Sequence, residues 1–392
     1  MKPIDIRLGL LFGALFLELG VNLPFFPLWL RAQDLDEAAI GLILAAPLLA
    51  RILGNPLISA IADRSSRVSQ TLVACSIAVV AAITLLAVGG GFWTVLILVI
   101  VIGFTQGPLI ALSDTLTLRI LAREEGAELR YGRIRLFGSA GFILANLGTG
   151  YLVGWISAQV VILLLMISAA LTAVAAVYVA MSPVVRNQRA PAREATRGAL
   201  PSLPVLATIV GAALVQASHA VVYAFSSLHW QDKGYSGMAI GSLWSLGVIA
   251  EVGFFIIAGR YLRGLQGATI LLLTGALVAV VRWTAMAADP PFEVLLVLQT
   301  LHAFTFAATH LGSVFMVSLL APQAFQAQAQ AWLAALWAGV MAMLTSLAGF
   351  LQPGLGEMTY LIMAGVAALG FAFLAVAAFT SRHPRWRAAQ PG

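Results

Sequence analysis

TILLLTGALVAVVRWTAMAADPPFEVLLVLQTLHAFTFAATHLGS, residues 269–313, decides the fold. It holds two apolar runs, each long enough to cross a bilayer, joined by a short turn with Asp289, Pro290, Pro291 and Glu293. Inside the runs sit Arg282, His302 and His310. An ionisable side chain at bilayer depth costs roughly 2.5 kcal/mol or more, so it normally faces protein or a water-filled cavity. Arg282 stands about six residues before the turn and His302 about ten after it, a depth difference of only ~6 Å at ~1.5 Å per residue. Proton or anion chemistry is expected here.

The rest of the chain has the same character. Of its 392 residues 61% are hydrophobic and 10% charged, with mean hydropathy +0.96. A soluble domain averages about 25% charged residues, so a globular cytoplasmic protein is excluded. MKPIDIR followed by a long apolar run reads as a first membrane helix rather than a removed signal. The single Cys75 rules out an intrachain disulfide or a multi-cysteine metal site and reads as a packing residue. The only lysines, Lys2 and Lys233, lie in no phosphate-binding loop, and there is no His-Glu-x-x-His run. Neither an ATP-driven pump nor a metalloprotease fits, and no enzyme activity, metal or cofactor is expected.

Apolar segments near 8–30, 38–62, 70–89, 94–120, 132–155, 158–181, 204–230, 236–259, 267–287, 292–315, 325–350 and 357–380 predict twelve transmembrane helices. With the N-terminus inside, all but four of the 22 lysines and arginines (Arg31, Arg51, Lys233 and Arg282) fall in cytoplasmic segments. Positive charge collects on the cytoplasmic side, so both termini are placed there and the net charge of +6 reflects topology, not nucleic acid. The segment 182–203, SPVVRNQRAPAREATRGALPSL, suits a flexible cytoplasmic linker between an N-terminal bundle, 1–181, and a C-terminal bundle with a short tail, 204–392. Six spans, linker, six spans is the layout of a transporter built from two repeated halves.

The loop GNPLISAIADRSSR (54–67) is similar to a degenerate form of the short acidic-basic loop of the major facilitator superfamily. LPFFPLWL (23–30), RYGRIRLFGSAGF (130–142) and VRWTAM…LQTLHAF resemble the lactose permease branch, and residues 214–252 resemble the phenylpropionate permeases, proton symporters for aryl carboxylates. The likeness covers nearly the whole chain. It implies an all-α fold of two pseudo-symmetric six-helix bundles. It also implies substrate-holding roles for Asp114 and for Arg135, the second arginine of GRIRLFG, and proton-coupling roles for Arg282 and His302. Where the sugar permease pattern has a tryptophan, this chain has Phe142; where it has a glutamate three residues after the histidine, this chain has Thr305.

The residues themselves add to this. Glu18 and Asn22 stand one turn apart in the first span, Glu18 near mid-depth, where a carboxyl can take up and release a proton or pair with Arg51 of span two. Gln216, His219, Tyr223 and Ser226/Ser227 form a polar stripe in span seven, suited to lining a cavity or to hydrogen-bonding a neighbouring helix. Trp244 and Glu251 share a face of span eight, and Arg282 in the next span is Glu251's expected partner. His302, Phe306 and His310 repeat every four residues. Asp63 and Arg64 are expected to latch onto a neighbouring helix end. An arginine-rich interior and a phenyl ring at 142 favour an organic, aromatic acid as substrate. The expectation is a monomeric proton symporter in a bacterial-type inner membrane, importing the acid between the halves by alternating access. A sugar or nucleoside symporter, a drug exporter and a non-transporting sensor on the same fold are the competing readings.

Overall fold

The computed structural model describes residues 2–65, 67–122, 126–186, 201–261 and 264–381. Among them every regular element is helical. In order they are α1 (Pro3–Arg31), α2 (Glu37–Arg64), α3 (Val68–Val88), α4 (Phe92–Leu121), α5 (Ala127–Trp155), α6 (Val160–Ala180), the single turn α7 (Pro183–Arg186), α8 (Leu203–Ala217), α9 (Ala220–Asp232), α10 (Gly237–Tyr261), α11 (Gly264–Met286), α12 (Phe292–Thr300), α13 (Thr309–Leu320), α14 (Gln326–Leu355) and α15 (Thr359–Thr380). In hydrocarbon every backbone N–H and C=O must be satisfied within its own segment, which is why the apolar runs have this form and no other.

Among the described residues eleven helical stretches are long and apolar enough to cross a membrane. The last, Gln326–Thr380, has 55 residues, about 80 Å at ~1.5 Å per residue against a hydrocarbon core of ~30 Å. A turn at Gly356–Met358, with Gly356 at φ 51°, divides it into α14 and α15, which makes twelve crossings. The turn after α11 places Asp289 at φ 50° ahead of its two prolines, a backbone region that Asp tolerates better than most residues. Side chains such as Val88, Trp93 and Phe379, each more than 70% exposed, give the helices the apolar outer surface a bilayer requires. Of the expected linker, residues 187–200 lie outside the described residues, as does the C-terminal tail from 382.

The chain forms two compact units. The first comprises residues 1–192 and 223–245, the second 193–222 and 246–392. The sequence division at the linker assigns Tyr223–Ser245 to the second half, whereas its contacts lie with the first. The reason is local. Gly237 and Gly241 of α10 lie against the backbone of Gly150 and Asn146 of α5, so closely that any Cβ would collide. Arg31 at the end of α1 also donates to Asp232 at 2.7 Å and to Glu37 at 3.3 Å.

Within the first unit α1 packs chiefly on α5 and α6, α2 on α4, and α3 on α4 and α6. Small residues let helix backbones approach where no hydrophobic force separates lipid from protein. At Gly20 a Cβ would lie 2.6 Å from the Phe142 carbonyl oxygen and 2.9 Å from the Ala145 Cβ. Gly20→Leu is therefore expected to prise α1 from α5. Overpacking of this kind costs about 1–3 kcal/mol, read as a lowered thermal midpoint and a loss of the monodisperse peak in size-exclusion chromatography. In the second unit α8 packs on α13, α14 and α15, and α11 packs on α13 and α15.

Candidate functional site

The charged hairpin of the second unit is built on two backbone irregularities. The seventh span is interrupted at Ser218–His219, between α8 and α9. The tenth contains a π-helical turn, Ala303–Ala308, between α12 and α13. π turns inside α-helices occur frequently at functional sites. The two irregularities meet: the His219 Nε2 lies 3.0 Å from the Thr305 hydroxyl.

Arg282, 1% exposed, donates from Nη1 to the Thr305 Oγ1 and from Nη2 to the Gln299 Oε1, both at 3.0 Å. Its guanidinium also stands 4.7 Å from the centre of the Trp283 ring, whose Nε1 donates to the Ser218 hydroxyl at 2.8 Å. The hydrogen-bond inventory orders the protons. The His219 Nδ1 faces the Gln216 carbonyl oxygen at 3.0 Å, an acceptor only, so Nδ1 carries the proton. In the neutral ring Nε2 is then an acceptor. Thr305 donates to it while accepting from Arg282. The result is a polarised chain from guanidinium through hydroxyl to imidazole.

Glu251 does not pair with Arg282 as its place in the neighbouring span predicts. Its Oε2 stands 3.5 Å from the His302 Nε2, while Arg282 donates to the two neutral oxygens of Thr305 and Gln299. His302 also lies edge-on to His219 (5.5 Å between ring centres) and stacks on Phe306 (5.2 Å), which stacks in turn on the exposed His310 (6.1 Å). His219 is fully buried with both ring nitrogens engaged, so it belongs to the Arg282 network and does not line an open cavity in this conformation.

The first unit carries two charged centres. Near mid-depth, Arg51 donates to the Gln106 Oε1 at 3.0 Å and the Gln106 amide donates to the Glu18 Oε1 at 2.7 Å. Glu18 and Arg51 are thus joined through an amide rather than directly. Glu18 is 1% exposed, and its second oxygen has no hydrogen-bond partner among the described residues. Nearer the end of the helices that carries the N-terminus, Asp114 accepts from the Tyr131 hydroxyl at 2.8 Å and lies 3.7 Å from the Arg135 Nη1. The Arg135 guanidinium stands 4.9 Å from the ring centres of both Phe12 and Phe16. Its Nη1 has no hydrogen-bond partner among the described residues, although the side chain as a whole is 33% exposed.

The remaining candidates divide. Tyr223 stacks on Trp244 at 5.8 Å, and the Trp244 Nε1 donates to the Ser227 hydroxyl at 3.1 Å. Asn22 is half-buried. Phe142, expected to offer its ring to substrate, is 5% exposed, its backbone set against Gly20. Asp63 accepts from Arg119 of α4 at 3.0 Å, a tie to a neighbouring helix end, while Arg64 is exposed. Sequence reasoning passed over Gln106, Tyr131 and Gln299, and took Thr305 only as a missing acid. A lone glutamine in an apolar span, as in GFTQGP, was the available signal for Gln106.

Residues 6–382 match the MFS_1 like family. The chain is 32% identical over 360 residues to the "Probable 3-phenylpropionic acid transporter" of Escherichia coli (strain K12), covering 90% of this chain and 92% of that protein. It is 27% identical to the "Maltose permease" of Geobacillus stearothermophilus over 87% of this chain and 85% of the permease. In structure it superposes on a point mutant of the nucleoside transporter NupG with a TM-score of 0.79, covering 95% of this chain and 99% of that one at 19% identity. The chain is therefore a multi-pass membrane transporter of the major facilitator superfamily and belongs to its MFS_1 like family.

Proposed function

We propose that this transporter imports a small aromatic carboxylate together with protons. The observation that carries the reading is Arg135. A guanidinium framed by the faces of Phe12 and Phe16, partly exposed as a whole and with its buried Nη1 turned to Asp114 at 3.7 Å, is matched to a ligand that has a carboxylate at one end and an aryl ring at the other. The relative named for 3-phenylpropionic acid supports the same class. Asp114 and Tyr131 orient Arg135, Asn22 and the Tyr223–Trp244 stack supply further contacts, and Phe142 backs the site from within the α1–α5 interface.

Proton coupling is assigned to Glu251 with His302. Arg282 is positioned by Thr305 and Gln299 to attract the carboxylate once it ionises, and His219 completes the chain. Glu18, reached by Arg51 through Gln106, is the second buried carboxyl that can carry a proton. The Asp63–Arg119 pair acts as a latch that opens when the halves 1–181 and 204–392 exchange access, with Arg64 beside it. The protein acts as a monomer in a bacterial-type inner membrane, with both termini cytoplasmic.

Uptake of labelled aryl carboxylates, alkyl carboxylates and galactosides into vesicles with an imposed pH gradient tests the reading. Accumulation of the aryl acid that collapses when the gradient is removed is expected. Uptake of a neutral sugar with no carboxylate uptake overturns the substrate class.

A further inference from the structure

We infer that the end of the first unit carrying the N-terminus holds a binding site for the headgroup phosphate of an anionic phospholipid, in a cavity lined by Lys2, Asp5, Arg130 and Arg133. The cavity measures about 350 Å³ and lies between the start of α1 and the start of α5. Three of its four lining residues are cationic. The one carboxylate, Asp5, is 3% exposed; it accepts from the Arg130 guanidinium through both oxygens and from the Lys2 backbone N–H at 2.9 Å. Asp5 thus fixes one wall of the cavity and leaves the charge of the lining positive.

The position of Arg133 says what fills it. Leu129, Leu136, Leu144, Tyr151 and Trp155 of α5 are between 49% and 77% exposed and recur at helical spacing, forming one lipid-facing stripe on which Arg133 also stands. Tyr151 and Trp155 pair at 6.0 Å between ring centres at the far end of that stripe, the arrangement of an interfacial aromatic belt. Arg133 precedes Trp155 by 22 positions, about 33 Å along the helix. That separation matches the hydrocarbon thickness of ~30 Å, so when the aromatic pair sits at one headgroup level the cavity sits at the other. Arg135, two residues on, is turned by about 200° about the helix axis, faces Phe12 and Phe16, and does not line the cavity. Basic pockets between helices at this level suit anionic lipid headgroups.

The test is native mass spectrometry of the full-length protein titrated with phosphatidylglycerol, phosphatidylethanolamine and phosphatidylcholine, for wild type and for the Lys2→Gln/Arg133→Gln double variant. Both side chains are exposed, so the variant is expected to keep the wild-type thermal midpoint, which is checked in parallel. Wild type should retain phosphatidylglycerol in preference to the zwitterionic lipids, and the double variant should lose that preference by on the order of tenfold or more. Equal retention of all three lipids by wild type, or unaltered phosphatidylglycerol binding by the variant, overturns the site. A third arm adds inorganic phosphate: displacement of the lipid at millimolar phosphate would assign the cavity to a small free anion and overturn the lipid assignment.

Discussion

Glu251→Gln is expected to leave exchange of labelled substrate across a vesicle membrane intact while abolishing its accumulation against a gradient. Glutamine keeps the shape of the side chain and can still hydrogen-bond the His302 Nε2, which now stands 3.5 Å from the carboxylate, but it cannot carry a proton. One proton moving down one pH unit supplies about 1.4 kcal/mol, a tenfold concentration ratio. With an imposed gradient of one unit the wild-type protein should reach an accumulation ratio of about ten for one proton per cycle, and the variant a ratio near one. Arg282→Gln should show the same split. It also leaves the Thr305 and Gln299 oxygens, both buried, without their cationic donor, so a lower thermal midpoint should accompany it. Accumulation at the wild-type ratio in Glu251→Gln would transfer the proton role to the Glu18–Gln106–Arg51 centre.

Arg135→Gln should weaken binding of an aryl carboxylate by about tenfold to a hundredfold, because a hydrogen bond to a charged group contributes roughly 1.5–3 kcal/mol and each ~1.4 kcal/mol is a factor of ten. Arg135→Lys should recover only part of the loss. An ammonium keeps the charge but lacks the planar fork that meets a carboxylate through two bonds and stacks between Phe12 and Phe16. Equilibrium binding to the purified protein measures both variants without depending on coupling, so this prediction stands apart from the one for Glu251. Unchanged affinity in Arg135→Gln would remove the aryl acid from that side of α5.

The membrane fold was legible because each apolar run is close to one bilayer thickness and because charge is so sparse that every buried acid or base stands out. The site was legible residue by residue and not pair by pair. Glu251, Arg282 and His302 were readable as a group, but adjacency of spans favoured Glu251 with Arg282, and only the rotation of each helix gives Glu251 to His302. Phe142, seven residues on along the same helix, was expected to stack on the substrate, and no aromatic partner was foreseen for Arg135. The rings that frame it belong to α1, more than 100 positions earlier, where no local spacing could announce them. Neither the interruption at Ser218–His219 nor the π turn coincides with a proline or glycine, so no breaker residue marks them in the sequence.

The wide turn at Ala303–Ala308 also changes how positions on the tenth crossing should be counted. Angular offsets of about 100° per residue hold on either side of it but not through it, since each of its hydrogen bonds closes over five residues instead of four. Matching Thr305 by count alone to an acid three places after a histidine therefore does not fix the direction of its side chain. In this chain the side chain at that count points at a guanidinium and an imidazole, where an ionised carboxylate would form a salt bridge with the one and have no proton to donate to the bare Nε2 of the other. A hydroxyl can accept from the first and donate to the second at once, which an ionised carboxylate cannot do. The departure from the family pattern thus puts a neutral hydroxyl between a permanent cation and the buried His219 ring.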